Sequence, residues 1–275
     1  MTTWRQAYKK GQDILEQAEI MDSALDAKYL LEYVTGKDSI IWILDGENEL
    51  NDQQERHYND VIRKRAGRYP LQYITEKQEF MGYSFYVNEN VLIPRQDTEC
   101  LVEEVLKYKD KISSILDLCT GSGCIGISIE KMSGMKVSLA DISKKALEVA
   151  KINGQNLNSN VTLVESDLFE NISEKFDAIV SNPPYIKSSV IPGLMDEVKK
   201  YEPMLALDGK EDGLYFYRKI IREGKEHLNP GGMLFFEIGH DQKKEVMECM
   251  EKEGFVEVYG VQDLAGLDRV IVGKV

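Results

Sequence analysis

Asn182-Pro183-Pro184-Tyr185 follows the apolar run Phe176-Asp177-Ala178-Ile179-Val180-Ser181, a pattern that predicts a buried strand. Two consecutive prolines fix φ and remove two backbone donors, so the chain leaves the sheet there in a stiff, extended form. Its carbonyl acceptors then point outward. The Asn182 side-chain oxygen, beside the Pro183 carbonyl, is placed to take both protons of an –NH2 group and hold that nitrogen in line for attack. The chemistry this suits is methyl transfer onto a planar nitrogen, with Pro184 and Tyr185 completing the substrate face and Tyr185 supplying a flat apolar wall. An isolated N-P-P is also a plain strand-to-loop exit, and the residues upstream decide between the two.

Ile115-Leu116-Asp117-Leu118-Cys119-Thr120-Gly121-Ser122-Gly123-Cys124-Ile125-Gly126 reads as a strand, a glycine turn and a helix start. Gly121 and Gly123 let the backbone come close to a ligand, with Thr120 and Ser122 in the same turn. Gly121 to Gly126 also satisfies G-x-G-x-x-G, the dinucleotide fingerprint, with Asp141 about where a ribose-binding acid belongs. Asp117, four residues before the first glycine, favours a cationic ligand over a pyrophosphate. S-adenosylmethionine carries an ammonium and a sulfonium and no phosphate. Asp141 is then placed to accept both ribose hydroxyls, Asp167 to accept from the adenine amino group, and Leu168 to pack on the ring. Each aspartate alone could cap the following helix. Together they lie at successive strand ends on the carboxyl edge of the sheet, where open α/β folds bind ligands, and Asn182 ends a strand at the same edge.

Positioning these groups requires a doubly wound α/β sheet. Strands are expected at Ser113 to Cys119, Lys136 to Ile142, Val161 to Asp167, Phe176 to Ser181, Gly232 to Ile238, Phe255 to Val261 and Arg269 to Val275, with helices between most of them. Only Gln262 to Asp268 separates the last two, too few residues for a parallel crossover, so they form an antiparallel hairpin. A seven-stranded sheet with its last strand reversed is expected, rather than the six parallel strands of a dinucleotide dehydrogenase. Upstream, Trp4, Tyr8, Ile14 and Leu15, then Ala24, Ala27, Leu30, Leu31 and Val34, recur at helical spacing, with Asp22 and Ser23 as caps and Gly36 as a stop. Alternating aromatics from Glu79 to Val87 predict a β-hairpin turning near Gly82. A helix capped by Asp97 or Thr98 should run to about Lys109, and another from Asp212 to His227. The expected organisation is a helical bundle over residues 1–75, a linking β-hairpin over 76–92 and the ligand-binding α/β domain over 93–275.

The D-L-C-T-G-S-G turn, Asp141 and N-P-P-Y resemble a class I S-adenosylmethionine-dependent methyltransferase acting on an exocyclic or amide nitrogen. The whole chain is similar to the bacterial release factor glutamine methyltransferase (PrmC/HemK) family. The resemblance extends through Ile93-Pro94-Arg95, Asp97-Thr98-Glu99, Tyr201-Glu202-Pro203, Ala206-Leu207, Asp212-Gly213-Leu214, Glu237-Ile238-Gly239, Gln242, Asp263-Leu264, Gly266 and Arg269. Cys119 departs from it, standing where the family more often has glycine. The resemblance implies methylation of the side-chain amide of the glutamine in the Gly-Gly-Gln motif of class I peptide-chain release factors, with S-adenosylhomocysteine as the other product. It implies catalytic roles for Asn182, Pro183 and Tyr185, and cofactor contacts from Asp117, Thr120, Gly121, Ser122, Gly123, Asp141, Asp167, Leu168 and Asn182. It also places Pro94, Arg95 and Thr98 near the cofactor. Arg95 is expected to be structural, since a cation beside a sulfonium opposes binding.

N-P-P-Y is shared with adenine-N6 methyltransferases, a rival reading supported by the basic cluster Arg63, Lys64, Arg65 and Arg68. Against it stand the formal charge of −13 over 275 residues, since nucleic-acid affinity comes largely from neutralising phosphates, and the simpler account of the cluster as a solvated helix face. No stable nucleic-acid binding and a monomer are expected. Four cysteines without a C-x-x-C pair and three scattered histidines predict reduced thiols and no metal site. The N-terminus mixes charge through every turn, unlike a signal peptide or membrane span, and a cytoplasmic location is the expectation.

Overall fold

The computed structural model describes residues 2–38 and 46–275. These fall into two compact units, Met1–Glu76 with Met195–Tyr201, and Lys77–Leu194 with Glu202–Val275. A division read along the chain puts the hairpin in a linker and Met195–Tyr201 in the α/β domain; in the structure the hairpin belongs to the second unit and Met195–Tyr201 to the first.

The first unit contains helices α1 (Trp4–Gln17), α2 (Ser23–Thr35) and α3 (Asp52–Ala66) and the short helices Leu71–Thr75 and Asp196–Tyr201. Reciprocal capping boxes start α1, between Thr3 and Gln6, and α3, between Asn51 and Gln54, satisfying orphan N–H groups at both helix ends. Asp22 makes no side-chain cap, but Gly36 stops α2 in the left-handed region at φ 65°. Trp4, Leu15, Ala27, Leu30, Leu31, Tyr58 and Ile62 form the core, while Ala24 is exposed. Half of the basic cluster departs from the expectation of a solvated face. Arg65 Nε lies 2.6 Å from Asp26 Oδ2 and its Nη1 lies 3.2 Å from Glu197 Oε1. Arg68 reaches Glu197 at 3.5 Å and donates to the Ala18 and Glu19 carbonyls at 3.0 Å. Arg63 and Lys64 remain exposed.

The second unit opens with the hairpin β1 (Lys77–Phe80) and β2 (Tyr83–Tyr86). Its two-residue turn, Met81-Gly82, has positive φ at both positions, 51° and 75°, matching the twist of the flanking strands. The large sheet is built from β3 (Ser114–Leu118), β4 (Lys136–Asp141), β5 (Val161–Glu165), β6 (Phe176–Ser181), β7 (Leu228–Glu237), β8 (Val256–Gln262) and β9 (Asp268–Lys274), in the order β5-β4-β3-β6-β7-β9-β8. β9 runs antiparallel to both neighbours, as the short gap before it requires. Alternate strand residues serve opposite faces. Ile115, Val137, Val180 and Phe235 pack with helices α4 (Glu99–Leu106) and α5 (Cys124–Ser133), whereas Leu116, Ile179, Leu234 and Phe236 pack with α7 (Tyr215–Gly224) and α8 (Lys243–Lys252). Helix α6 (Lys144–Asn156) supplies the buried Asn153. Asn153 accepts from the Tyr86 amide at 2.7 Å and donates to the Ser122 carbonyl at 2.9 Å, joining hairpin to glycine turn. The order reverses between β3 and β6, so the two strand ends that carry Asp117 and Asn182 are adjacent at the switch point.

Candidate active site

A cavity of about 290 Å³ opens at the carboxyl ends of β3, β4 and β6. Of the residues singled out from sequence, Thr120, Gly121, Ser122, Asp141, Asp167, Leu168, Asn182 and Pro184 line it; Asp117, Gly123, Pro183 and Tyr185 do not. The three glycines of the turn do different work. A Cβ on Gly121 would meet nothing within 4 Å, leaving its backbone open to a ligand. A Cβ on Gly123 would fall 2.8 Å from Ile127 and one on Gly126 2.2 Å from Leu139, so these two serve the packing of α5 on the sheet rather than ligand approach. Cys119, in the position where glycine was the family expectation, takes up the left-handed region at φ 62°.

Asp117 is the main departure from the sequence reading. Its carboxylate is fully buried behind the turn, where Oδ2 accepts from the Thr120 hydroxyl at 2.6 Å and the Gly126 amide at 2.9 Å. It braces the turn from below and does not line the cavity, and its Oδ1 is buried without a hydrogen-bond partner among the described residues. Burial raises its pKa to about 7, against the pull of those two donors. Asp141 stands at the cavity, with Oδ2 accepting from the Gly121 amide at 2.9 Å and Oδ1 from the Ser143 amide at 2.8 Å. Burial raises its pKa, and the Ser143, Gly121 and Ile142 amides partly offset this.

The N-P-P-Y segment leaves β6 and is clamped on its far side. The Ile186 amide donates to the Leu207 carbonyl at 3.0 Å and the Gly209 amide to the Ile186 carbonyl at 2.8 Å. Gln242 Nε2 donates to the carbonyls of Tyr185 at 3.1 Å and Gly213 at 3.3 Å, while its Oε1 accepts from the Gly239 amide at 2.9 Å. A Cβ on Gly209 would fall 2.7 Å from the Tyr185 backbone, and one on Gly213, at φ 76°, 2.4 Å from the Tyr185 carbonyl oxygen. The Tyr185 hydroxyl reaches Glu237 Oε1 at 3.4 Å.

Thr98, expected as a helix cap, makes no cap bond to α4. It is buried beside Asn182, whose Nδ2 donates to Thr98 Oγ1 at 3.5 Å. Asp97 is likewise turned elsewhere, to Arg269 Nη2 at 3.1 Å, which it shares with Asp263 at 3.1 Å. Arg95 lines the cavity but is ion-paired with the buried Glu202, consistent with a structural place for that cation. Glu237 and Gln242 were legible only as parts of motifs, without a role; the one signal for Glu237 was its place at a strand end on the ligand edge.

The chain matches the model of the Methyltransferase small domain over residues 96–197 and that of the PrmC N-terminal domain over residues 6–75. A crystal structure of a methyltransferase from Pyrococcus furiosus superposes with a TM-score of 0.52 at 20% identity, over 80% of this chain and 97% of that one. The fold is that of a class I methyltransferase, with S-adenosylmethionine as its methyl donor. The release factor glutamine methyltransferase of Clostridium acetobutylicum is 45% identical over 98% of this chain and 97% of its own. That of Geobacter sulfurreducens is 38% identical over 95% and 93%. The chain belongs to the release factor glutamine methyltransferase family.

Proposed function

We propose that this chain transfers a methyl group to the side-chain amide nitrogen of the glutamine in the Gly-Gly-Gln motif of class I peptide-chain release factors. The observation that carries this reading is Asn182, held at the end of β6 on the wall of a cavity that also presents the open backbone of Gly121 and the carboxylates of Asp141 and Asp167. That cavity suits S-adenosylmethionine: an open glycine turn, Asp141 for the ribose, Asp167 for the adenine amino group and buried Leu168 for the ring. Bound there, S-adenosylmethionine supplies a methyl group on a sulfonium.

An amide nitrogen is a poor nucleophile because its lone pair is delocalised into the carbonyl. Asn182 Oδ1 and the Pro183 carbonyl accept the two amide N–H bonds, fixing the nitrogen towards the methyl carbon. Both acceptors are carbonyl oxygens, too weakly basic to take the proton, so orientation and dipoles do most of the catalysis. As the N–C bond forms, the S–C pair stays on sulfur and the nitrogen, now far more acidic, gives its proton to solvent. Tyr185 forms the apolar wall of the substrate face. Residues 1–75 serve as a docking domain for the protein substrate. The charge of −13 and the engagement of Arg65 and Arg68 by Asp26 and Glu197 favour a protein over a nucleic acid. Among the described residues no helix is long and apolar enough to cross a membrane; a cytoplasmic monomer is the proposed state.

Labelled S-adenosylmethionine, incubated separately with release factor, a Gly-Gly-Gln peptide and DNA and followed by mass spectrometry, tests this. Label is expected on glutamine; label on adenine and none on glutamine overturns it.

A further inference from the structure

Asn153, fully buried on α6, does not itself line the cavity. Its side-chain amide nevertheless spends both N–H bonds and its carbonyl. Oδ1 accepts from the Tyr86 amide at 2.7 Å, and Nδ2 donates to the carbonyls of Tyr86 at 3.0 Å and Ser122 at 2.9 Å. Bonding both backbone groups of one residue is what a neighbouring strand does, so the side chain stands in for a strand beside the end of β2. Each contact leads to a different wall of the cavity. From Tyr86 the chain runs on to Asn90, Val91 and Leu92, which line it. That stretch is folded on itself: Asn88 Nδ2 donates to the Tyr86 hydroxyl at 3.2 Å, and Asn88 Oδ1 accepts from the amide and from Nδ2 of Asn90, both at 3.0 Å. Where Tyr86 sits therefore decides where Asn90 sits. On the other side Ser122 lines the cavity within the glycine turn. Its carbonyl belongs to the Ser122–Gly123 peptide, whose N–H donates to the Thr120 carbonyl at 2.9 Å. This peptide is thus held at both ends, by α6 and by the turn itself.

We propose that Asn153 is a positioning residue for S-adenosylmethionine, fixing from outside the cavity the separation between the exit of the hairpin and the glycine turn. This rests on the reading of the cavity as the cofactor site. A primary amide supplies two donors and an acceptor together, and no other side chain of this size does. Aspartate at this position keeps the bond from the Tyr86 N–H but sets its carboxylate against the carbonyl oxygens of Tyr86 and Ser122. Alanine leaves all three backbone groups without their partner. N-P-P-Y is anchored by other elements, through Gln242 and through the Leu207 carbonyl, so the acceptor side of the site keeps its place when Asn153 is changed.

The full-length protein carrying Asn153→Asp, Asn153→Ala or Met250→Ala is compared with wild type for S-adenosylhomocysteine affinity by calorimetry, kcat on release factor at saturating S-adenosylmethionine, and Tm. Met250 is fully buried in the same unit and does not line the cavity, so its truncation shows what plain destabilisation does. Both Asn153 variants are expected to lose S-adenosylhomocysteine affinity about fivefold or more, with kcat within about twofold of wild type. Met250→Ala is expected to keep wild-type affinity despite a lower Tm. Wild-type affinity in the Asn153 variants, a loss of kcat as large as the loss of affinity, or an equal loss of affinity in Met250→Ala overturns the proposal. Asp141→Ala, measured beside them, checks the cavity. Wild-type affinity in that variant overturns the cofactor reading and the proposal with it, whereas affinity lost there and kept in the Asn153 variants overturns the positioning role alone.

Discussion

The carbonyl oxygen of Tyr185 accepts a hydrogen bond from Gln242 Nε2 at 3.1 Å, across 57 positions of sequence. The same amide group satisfies the Gly213 carbonyl and the Gly239 amide, so one buried side chain ties the exit of N-P-P-Y to two other loops. Gln242→Ala strands three backbone groups, and a buried orphan costs about 1–3 kcal/mol. The expected result is a lower Tm in thermal unfolding, together with a lower kcat because the segment bearing Asn182 loses its anchor. Wild-type kcat in a destabilised Gln242→Ala protein would show that the clamp serves stability alone.

Gly121 and Gly126 separate ligand approach from packing. In Gly121→Ala the new methyl meets no protein atom within 4 Å, so it enters the space left for a ligand, and cofactor affinity should fall about tenfold or more. Its left-handed backbone, φ 55°, adds about 1 kcal/mol of strain. In Gly126→Ala the methyl lies 2.2 Å from Leu139 and 2.9 Å from Asp117, so overpacking of about 1–3 kcal/mol is expected, read as a fall in Tm. Calorimetry with S-adenosylhomocysteine, set beside thermal melts of both variants, distinguishes the two outcomes.

Asn182→Ala should lower turnover far more than cofactor affinity. Asp141→Ala should do the reverse, the more so because Asp141 also holds the Gly121 amide at 2.9 Å and its loss loosens the turn. Steady-state kinetics resolve kcat from KM for S-adenosylmethionine, and equal effects of each variant on both quantities would contradict the division of roles.

Asp117 carries a pH signature. Its pKa rises from 3.8 to about 7 on folding, through burial that outweighs the Thr120 and Gly126 donors and is reinforced by Asp141. Between those values the native chain holds a proton that the unfolded chain has released, so this residue's contribution to stability declines as pH rises through that window and levels off above it. Asp117→Asn keeps an acceptor for Thr120 and Gly126 and does not titrate. The Tm of wild type minus that of Asp117→Asn should therefore fall as pH rises from about 4 to about 7. A pH-independent difference would mean that Asp117 is ionised throughout.

Local rules made much of this architecture legible. The gap from Gln262 to Asp268 was too short for a parallel crossover, which set the direction of β9 without any coordinates. The prolines after Ser181 ended β6, and the glycines after Leu118 marked the ligand edge. Side-chain destinations were less accessible. Asp117 lies on a strand buried on both faces, so no alternation distinguished a carboxylate facing the ligand from one bracing the turn. Thr98 had the right type and place for a helix cap, and only the tertiary approach of Asn182 redirected it. Arg65 looked solvated because its partners, Asp26 and Glu197, lie 39 and 132 positions away.

The chain passes between its two compact units three times, after Glu76, after Leu194 and after Tyr201. A gene fragment beginning at Lys77 would therefore retain Met195–Tyr201 but discard Arg65, Arg68 and Gly67, the groups that hold Glu197 and Tyr201. The orphaned seven-residue stretch leads straight into Glu202, the ion-pair partner of Arg95 at the cavity. Amputating the helical bundle would thus injure the remaining enzyme from within, and point substitutions on the bundle's exposed surface, rather than truncation, are the sound way to assign it a share in substrate recognition.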